Sequence, residues 1–474
     1  MSPVRLRTAA GRGVLATTIL GSGMAFLDST IANVATKKIG QDFHASFGAL
    51  QWVQNGYLLP LASLILLGGA LGDRLGRRRM YLLGVAWFAI ASLLCAISPN
   101  VETLIAARAL QGIGGALLTP GSLAIISATF APEDRAAAVG AWSGLGGVAT
   151  AIGPFLGGWL VQDVSWRWAF GINVPFAVAV IILGIKYVPE SRAEHRATSL
   201  DLPGTLLVGG GLGALTYGTT SAGSGGWDAL ATVITAAGVG LLAGFVIVEQ
   251  REKQPIVPLK LFADRAFSGS NLMTFMTYGA LGAVLFVLTL NLQISAGYGA
   301  LAAGTALLPI TIFMMFLSAR SGALAARIGP RLQMTVGPLI CAVGLLLTMR
   351  IDAHHHSYIT DVLPGILVFA LGLTAFVAPL TATVMGTAPP DQVGVASGVN
   401  NAVARAASLL AVAVLPPLAG LHGEAYQQAS VMAHGYRVVA VSCAVLLAIA
   451  ALVVAVTVRI PARALHQETP DEAG

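Results

Sequence analysis

Asp28 is a carboxylate inside an apolar run, between Leu27 and the hydroxyl pair Ser29 and Thr30. An ionised side chain at bilayer depth costs about 2.5–3.5 kcal/mol on insertion scales, so an acid kept there has a task. Desolvation favours its protonated form, which suits a group that takes up and releases a proton. A fixed hydrogen bond to another helix, or permanent pairing with an arginine, is the plainer alternative. Arg108 raises the same question, because it lies too deep in its own apolar run to reach the interface. A buried cation needs a partner, and Asp28 is the one midspan anion on offer. Gln111 follows one turn after Arg108 on the same helical face. Asn33, with Ser29 and Thr30, would tune the surroundings of the carboxylate.

A second group of midspan polar residues has the character of a cavity lining: Asn33 and Gln111 again, with Gln54, Asn55, Tyr57, Asn291, Gln293 and Arg405. Each would equally serve to bridge helices, and Arg405 has no evident partner. Phe26, Phe286 and Phe376 offer aromatic surface, though core or lipid packing explains any single ring. The run His354-His355-His356 reads as a solvated loop, because consecutive histidines do not converge on a tetrahedral metal and no cysteine lies nearby.

The elements that must hold these residues are membrane helices. The chain has 474 residues, 56% hydrophobic and 10% charged, against roughly 25% charged in soluble proteins. Mean hydropathy is +0.78. Apolar stretches long enough to cross a bilayer recur near 14–36, 48–71, 80–98, 103–128, 137–160, 167–187, 201–220, 228–248, 268–292, 302–325, 332–350, 361–386, 393–420 and 436–458. Arg5, Arg7 and Arg12 precede the first stretch, but Val14 to Ala35 is too long for a signal-peptide core, so it reads as a retained span. The net charge of +6 does not point to nucleic acid. Most of the 27 Lys and Arg residues fall in alternate short loops, which orients both termini to the cytoplasm and requires an even helix count. Cys95, Cys341 and Cys443 all lie in apolar segments and imply no disulfide framework.

An internal repeat is legible. Gly69-x-Leu71-x-Asp73-Arg74-x-Gly76-x-Arg78 ends the second span, and Gly322-x-Leu324-x-Ala326-Arg327-x-Gly329-x-Arg331 ends the tenth. Repeats of this kind mark secondary transporters. In the fifth span, Gly140-x-x-x-Gly144 and Gly153-x-x-x-Gly157 form small-residue stripes for close helix contact, and Pro154 should kink that helix near its outer end. No Walker A, Cys-x-x-Cys or His-Glu-x-x-His pattern occurs, which argues against an enzyme.

Several stretches resemble the major facilitator superfamily. Gly69 to Arg79 resembles its cytoplasmic signature, Leu104-x-x-x-Arg108-x-x-Gln111-Gly112-x-Gly114 its helix 4 motif, and Gly153-Pro154-Phe155-Leu156-Gly157-Gly158 its antiporter motif. The runs Leu27 to Ala35, Trp166 to Pro175 and Pro255 to Phe262 are similar to the fourteen-helix drug:proton antiporter branch. The resemblance implies an all-α membrane protein with two six-helix bundles, residues 1–190 and 267–460, an inserted helix pair at 191–266, and a cytoplasmic tail at 461–474. It implies proton coupling through Asp28 and Arg108, and a cytoplasmic latch built from Gly69, Asp73, Arg74, Gly76, Arg77 and Arg78, with Asp73 facing a helix N-terminus. It also implies a hinge or seal at Gly153, Pro154, Gly157 and Gly158.

The expected function is proton-driven export of small amphiphilic compounds, with a narrow-substrate metabolite or lipid transporter as the alternative and a receptor or enzyme further off. No metal and no cofactor are expected beyond the proton gradient. The expected partners are a small molecule, protons and membrane lipids, with no nucleic acid, in a monomer or weak oligomer in a bacterial cytoplasmic membrane. Two departures from the branch stand out. Thr36 and Lys37 replace its usual Leu-Pro, and no acid appears in the later spans.

Overall fold

The computed structural model describes residues 4–192, 201–226, 228–252, 255, 257–389 and 392–458. The tail at 461–474 and the basic residues Arg196, Lys253, Arg459 and Arg463 lie outside these residues. The described chain is helical, and its one β feature is an isolated bridge between Val4 and Phe130. Among the described residues, twelve helices are long and apolar enough to cross a membrane. In chain order they are α1 (Ala9–Phe43), α2 (Phe47–Leu75), α3 (Arg77–Ala96), α4 (Val101–Thr129), α6 (Trp168–Tyr187), α8 (Ala229–Arg251), α9 (Arg265–Ile294), α10 (Ala300–Ile328), α11 (Pro330–Thr348), α12 (Tyr358–Gly386), α13 (Val393–Leu418) and α14 (Ala429–Thr457). Two of the fourteen expected spans are not among these twelve and fall on glycine-rich helices: α5 (Pro132–Trp159, 28 residues) and α7 (Leu202–Gly225, 24 residues). At 1.5 Å per residue both reach across a bilayer core of about 30 Å.

Local sequence sets the helix starts. Six helices begin after a Thr, Ser, Asn or Asp whose side chain accepts from a backbone N–H three residues on: Thr8, Ser46, Asn100, Asp201, Asp228 and Asp264. The missing proline at the end of the first span also has a visible effect. With Thr36 and Lys37 in place of Leu-Pro, nothing stops the helix and α1 runs on to Phe43, while Thr36 Oγ1 donates back to the Ala32 carbonyl at 2.9 Å. In α5, Pro154 sits inside a continuous helix, and the backbone changes to a π-turn only at Leu160–Val164.

α1–α6 pack among themselves, as do α9–α14. The halves correspond in detail: α3 lies against α4 as α11 lies against α12, with glycines at both crossings. A Cβ on Gly114 would stand 2.7 Å from the Phe88 nitrogen, and one on Gly372 would stand 2.5 Å from the Cys341 nitrogen. With lipid outside, this backbone contact supplies the dispersion and packing that hold membrane helices together. The halves meet where α2 crosses α13, where α5 crosses α10, and along α1 and α9. Of the inserted pair, α7 packs on α2 and α13, and α8 packs on α7.

Candidate functional site

Four helices converge on Asp28. Its Oδ2 accepts from Arg108 Nη1 at 2.6 Å, and its Oδ1 accepts from Gln111 Nε2 at 2.7 Å and from Asn173 Nδ2 at 2.9 Å. Neither side chain of the ion pair has any exposure. Ser92 on α3 accepts from both Gln111 and Asn173. Arg108 also donates to Gln111 Oε1 at 2.6 Å and to the Val53 carbonyl at 3.1 Å. Its guanidinium lies 4.4 Å from the Tyr57 ring centre and 5.6 Å from that of Phe170. Two ions taken out of water each lose several kcal/mol of hydration, and here full hydrogen bonding of the acid offsets that loss. Only Nη2 of Arg108 is left without an acceptor. The carboxylate thereby joins α1, α4 and α6, and Ser92 adds α3 through Gln111 and Asn173.

A central cavity of about 1200 Å³ runs between the two halves. Asn33, Gln54, Tyr57 and Arg405 line it, with Phe26, Tyr278 and Phe286. Gln54 donates to Asn33, tying α2 to α1. Asp28, Arg108 and Gln111 do not line the cavity. Tyr57 does, and the same ring covers the Arg108 guanidinium, so it is the partition between cavity and ion pair.

Four residues expected in the lining lie elsewhere. Gln111 belongs to the ion-pair network. Asn55 is fully buried and neither of its amide atoms has a partner. Asn291 donates to the Ile351 carbonyl, and Gln293 donates to the Val34 carbonyl across the two halves. Phe376 is buried in the second half against Gly337.

The cavity reaches the arginine-rich end of the bundle, where Gly69, Gly72, Asp73 and Arg77 face Met385 and Val395. Asp73 makes an ion pair with Arg77, the first residue of α3, at 2.7 Å across the α2–α3 turn. Glu190 accepts from the Arg78 backbone N–H at 3.1 Å and lies 3.8 Å from the side chains of Arg78 and Arg79. Arg74 turns aside into a shallow pocket with Leu83 and Arg192. Gly76 has φ +121°, and its repeat counterpart Gly329 has φ +84°, so the two copies share a turn that L side chains resist. A Cβ on Gly76 would also stand 2.6 Å from Glu190 Oε1. Gly76→Ala is expected to destabilise this turn by about 1–3 kcal/mol and to cut transport several-fold. Thermal unfolding and a flux assay on one preparation check it; unchanged values in both would contradict the strain argument.

The opposite end is closed. A Cβ on Gly157 would stand 2.8 Å from Ile31, and one on Gly158 would stand 2.5 Å from the Leu301 Cα. Gly304 meets the Pro154 carbonyl as closely. Lys37 Nζ donates to the Gln293 carbonyl at 2.7 Å, and Gln51 donates to the Val412 carbonyl, both from one half to the other. His354, His355 and His356 are exposed beyond this end, with the Asp352 carboxylate accepting from the backbone N–H of His354 and His355.

One buried acid was not legible beforehand. Glu249 was placed just past the expected span at 228–248, but α8 continues to Arg251 and buries it to 2% exposure. It lies beside Asp201, itself 3% exposed, and each carboxyl keeps an oxygen that no donor reaches. Two carboxylates side by side repel, and a neutral donor in place of one relieves that repulsion. Glu249→Gln supplies a permanent N–H there and is expected to raise stability at pH 8 by about 1 kcal/mol. A melting temperature at pH 8 equal to or below that of the parent would refute it.

Residues 18–412 match the sequence profile of the Major Facilitator Superfamily. The chain is 37% identical over 398 residues to the tetracenomycin C resistance and export protein of Streptomyces glaucescens, covering 84% of this chain and 73% of that protein. It is 35% identical over 409 residues to the methylenomycin A resistance protein of Bacillus subtilis, covering 85% and 86%. Among solved structures, a bacterial homologue of the human lysosomal transporter Spinster, in an inward-facing and unoccupied conformation, superposes with a TM-score of 0.67 at 17% identity, covering 95% and 97%. That likeness concerns the fold alone.

Proposed function

Because this chain belongs to the Major Facilitator Superfamily, we propose that it exports small amphiphilic compounds, antibiotics among them, in exchange for protons. The observation that carries this reading is the position of Tyr57, with a large mixed-polarity cavity on one side and a fully buried acid–base pair on the other. The arginine-rich end is taken as cytoplasmic, following the bias of positive charge. The cavity then faces the cytoplasm, where compounds to be exported are collected, and both termini lie inside.

The chemistry of the pair supports coupling. A proton on Asp28 Oδ2 removes the charge that holds Arg108 Nη1, leaving the guanidinium to Gln111 Oε1 and the Val53 carbonyl. Neutralising Asp28 thus loosens the tie between α1 and α4 and releases Arg108 toward the Tyr57 partition. Substrate and proton need not share atoms; opposite preferences for the two conformations suffice. No cofactor enters this scheme, and no enzymatic step is needed.

Reconstitution in proteoliposomes tests it. With an imposed pH gradient and no ATP, a panel of amphiphilic antibiotics should give compound-dependent proton flux that a protonophore collapses. A flux that requires ATP, or no flux with any compound, would overturn the reading.

A further inference from the structure

Arg405 is the unspent charge of the cavity. Four lining residues are acidic or basic: Asp73 and Arg77, which are paired with each other, Asp201 beside Glu249, and Arg405. Arg405 forms no hydrogen bond or ion pair among the described residues, and its buried Nε has no acceptor. Asp28 is not available to it, since Arg108, Gln111 and Asn173 occupy that carboxylate. A guanidinium held in a low-dielectric wall without a counter-charge is unfavourable, and it favours any anion that comes within reach. Its surroundings specify the rest of the ligand. Tyr57, Tyr278, Phe26 and Phe286 line the same cavity. The cavity is larger than the roughly 300–1,000 Å³ of ordinary small-molecule sites, so a fused-ring body fits.

We propose that Arg405 is the anion-recognition point of this cavity and that the preferred cargo is an aromatic compound bearing a carboxylate or an ionised phenol or enol. The guanidinium fork pairs with the two oxygens of such a group, and the rings cover the flat body. This rests on the export reading, whose cargo it specifies, but binding can be measured without any flux.

Purified protein in phosphatidylcholine nanodiscs would be titrated with three fluorescent probes of one shape: 9-anthracenecarboxylate, 9-anthracenemethanol and 9-anthracenemethylammonium. The parent protein should bind the carboxylate at least 10-fold more tightly than the other two. Arg405→Gln should weaken the carboxylate at least 10-fold and leave the alcohol unchanged, while Arg405→Lys, which keeps the charge but loses the fork, should fall between Arg405→Gln and the parent. Equal binding of the three probes, or equal weakening of all three by Arg405→Gln with the melting temperature preserved, would overturn the proposal and leave proton-driven export standing. Binding of none would likewise overturn the proposal and leave export to the flux assay. Loss of flux with intact discrimination would overturn export alone.

Discussion

Asp28→Asn is expected to abolish compound-driven proton flux and, at the same time, to destabilise the protein by about 3–5 kcal/mol. The first effect follows from removing the group that carries the proton. The second follows from what stays behind, since Asp28 is the sole counter-charge of a guanidinium with no exposure. An amide at that position still accepts from one donor but leaves Arg108 charged in an apolar setting. Asp28→Asn/Arg108→Gln removes both charges and should recover most of the lost stability while remaining without flux. This non-additivity is the decisive measurement, because residues in one network couple strongly. Denaturation of the parent, both single variants and the double variant gives the cycle, and additive losses would mean that the pair is not a unit. A double variant that still moved protons would remove Asp28 from the coupling scheme.

Gly158→Trp is expected to abolish transport by forbidding the conformation described here. A single Cβ on Gly158 already meets the Leu301 Cα at 2.5 Å and the Ala300 carbonyl at 2.9 Å, and both are backbone atoms that cannot turn away. A larger side chain therefore holds α5 and α10 apart at the closed end, and the two halves settle with the cavity facing the other way. Cysteine labelling reports the change. A cysteine at Gly398, which lines the cavity toward the arginine-rich end, should lose reactivity to a membrane-impermeant thiol reagent applied from the cytoplasmic side. The cost should fall on the conformational balance more than on folding, since parting α5 from α10 at this end relieves the clash. Full transport in Gly158→Trp would show that this contact is not needed for closure.

How much of this was legible beforehand depended on the residue type. Charges in apolar runs stand out, so Asp28 and Arg108 could be paired from sequence. Ser92 and Asn173 could not be added, because neutral polar residues are ordinary in membrane helices and only the packing of α3 and α6 brings them to the carboxylate. Gln54 and Asn55 show a second limit. They are adjacent, and the 100° turn between them sends Gln54 to the cavity and Asn55 into a helix interface. Composition does not reveal which way a helix is rotated. Glu249 was missed for a third reason, a boundary drawn a few residues early. The repeat of the arginine turns was readable because glycine at a positive φ is a backbone requirement.

The inserted helices carry one more consequence. α7 lies over the line where α2 meets α13, with α8 outside it, whereas among the described residues no further helix covers the line where α5 meets α10. Seen from the lipid, the molecule thus has a back and a front. A compound that approached the cavity from the inner leaflet would therefore meet one seam backed by two further helices and one that is bare.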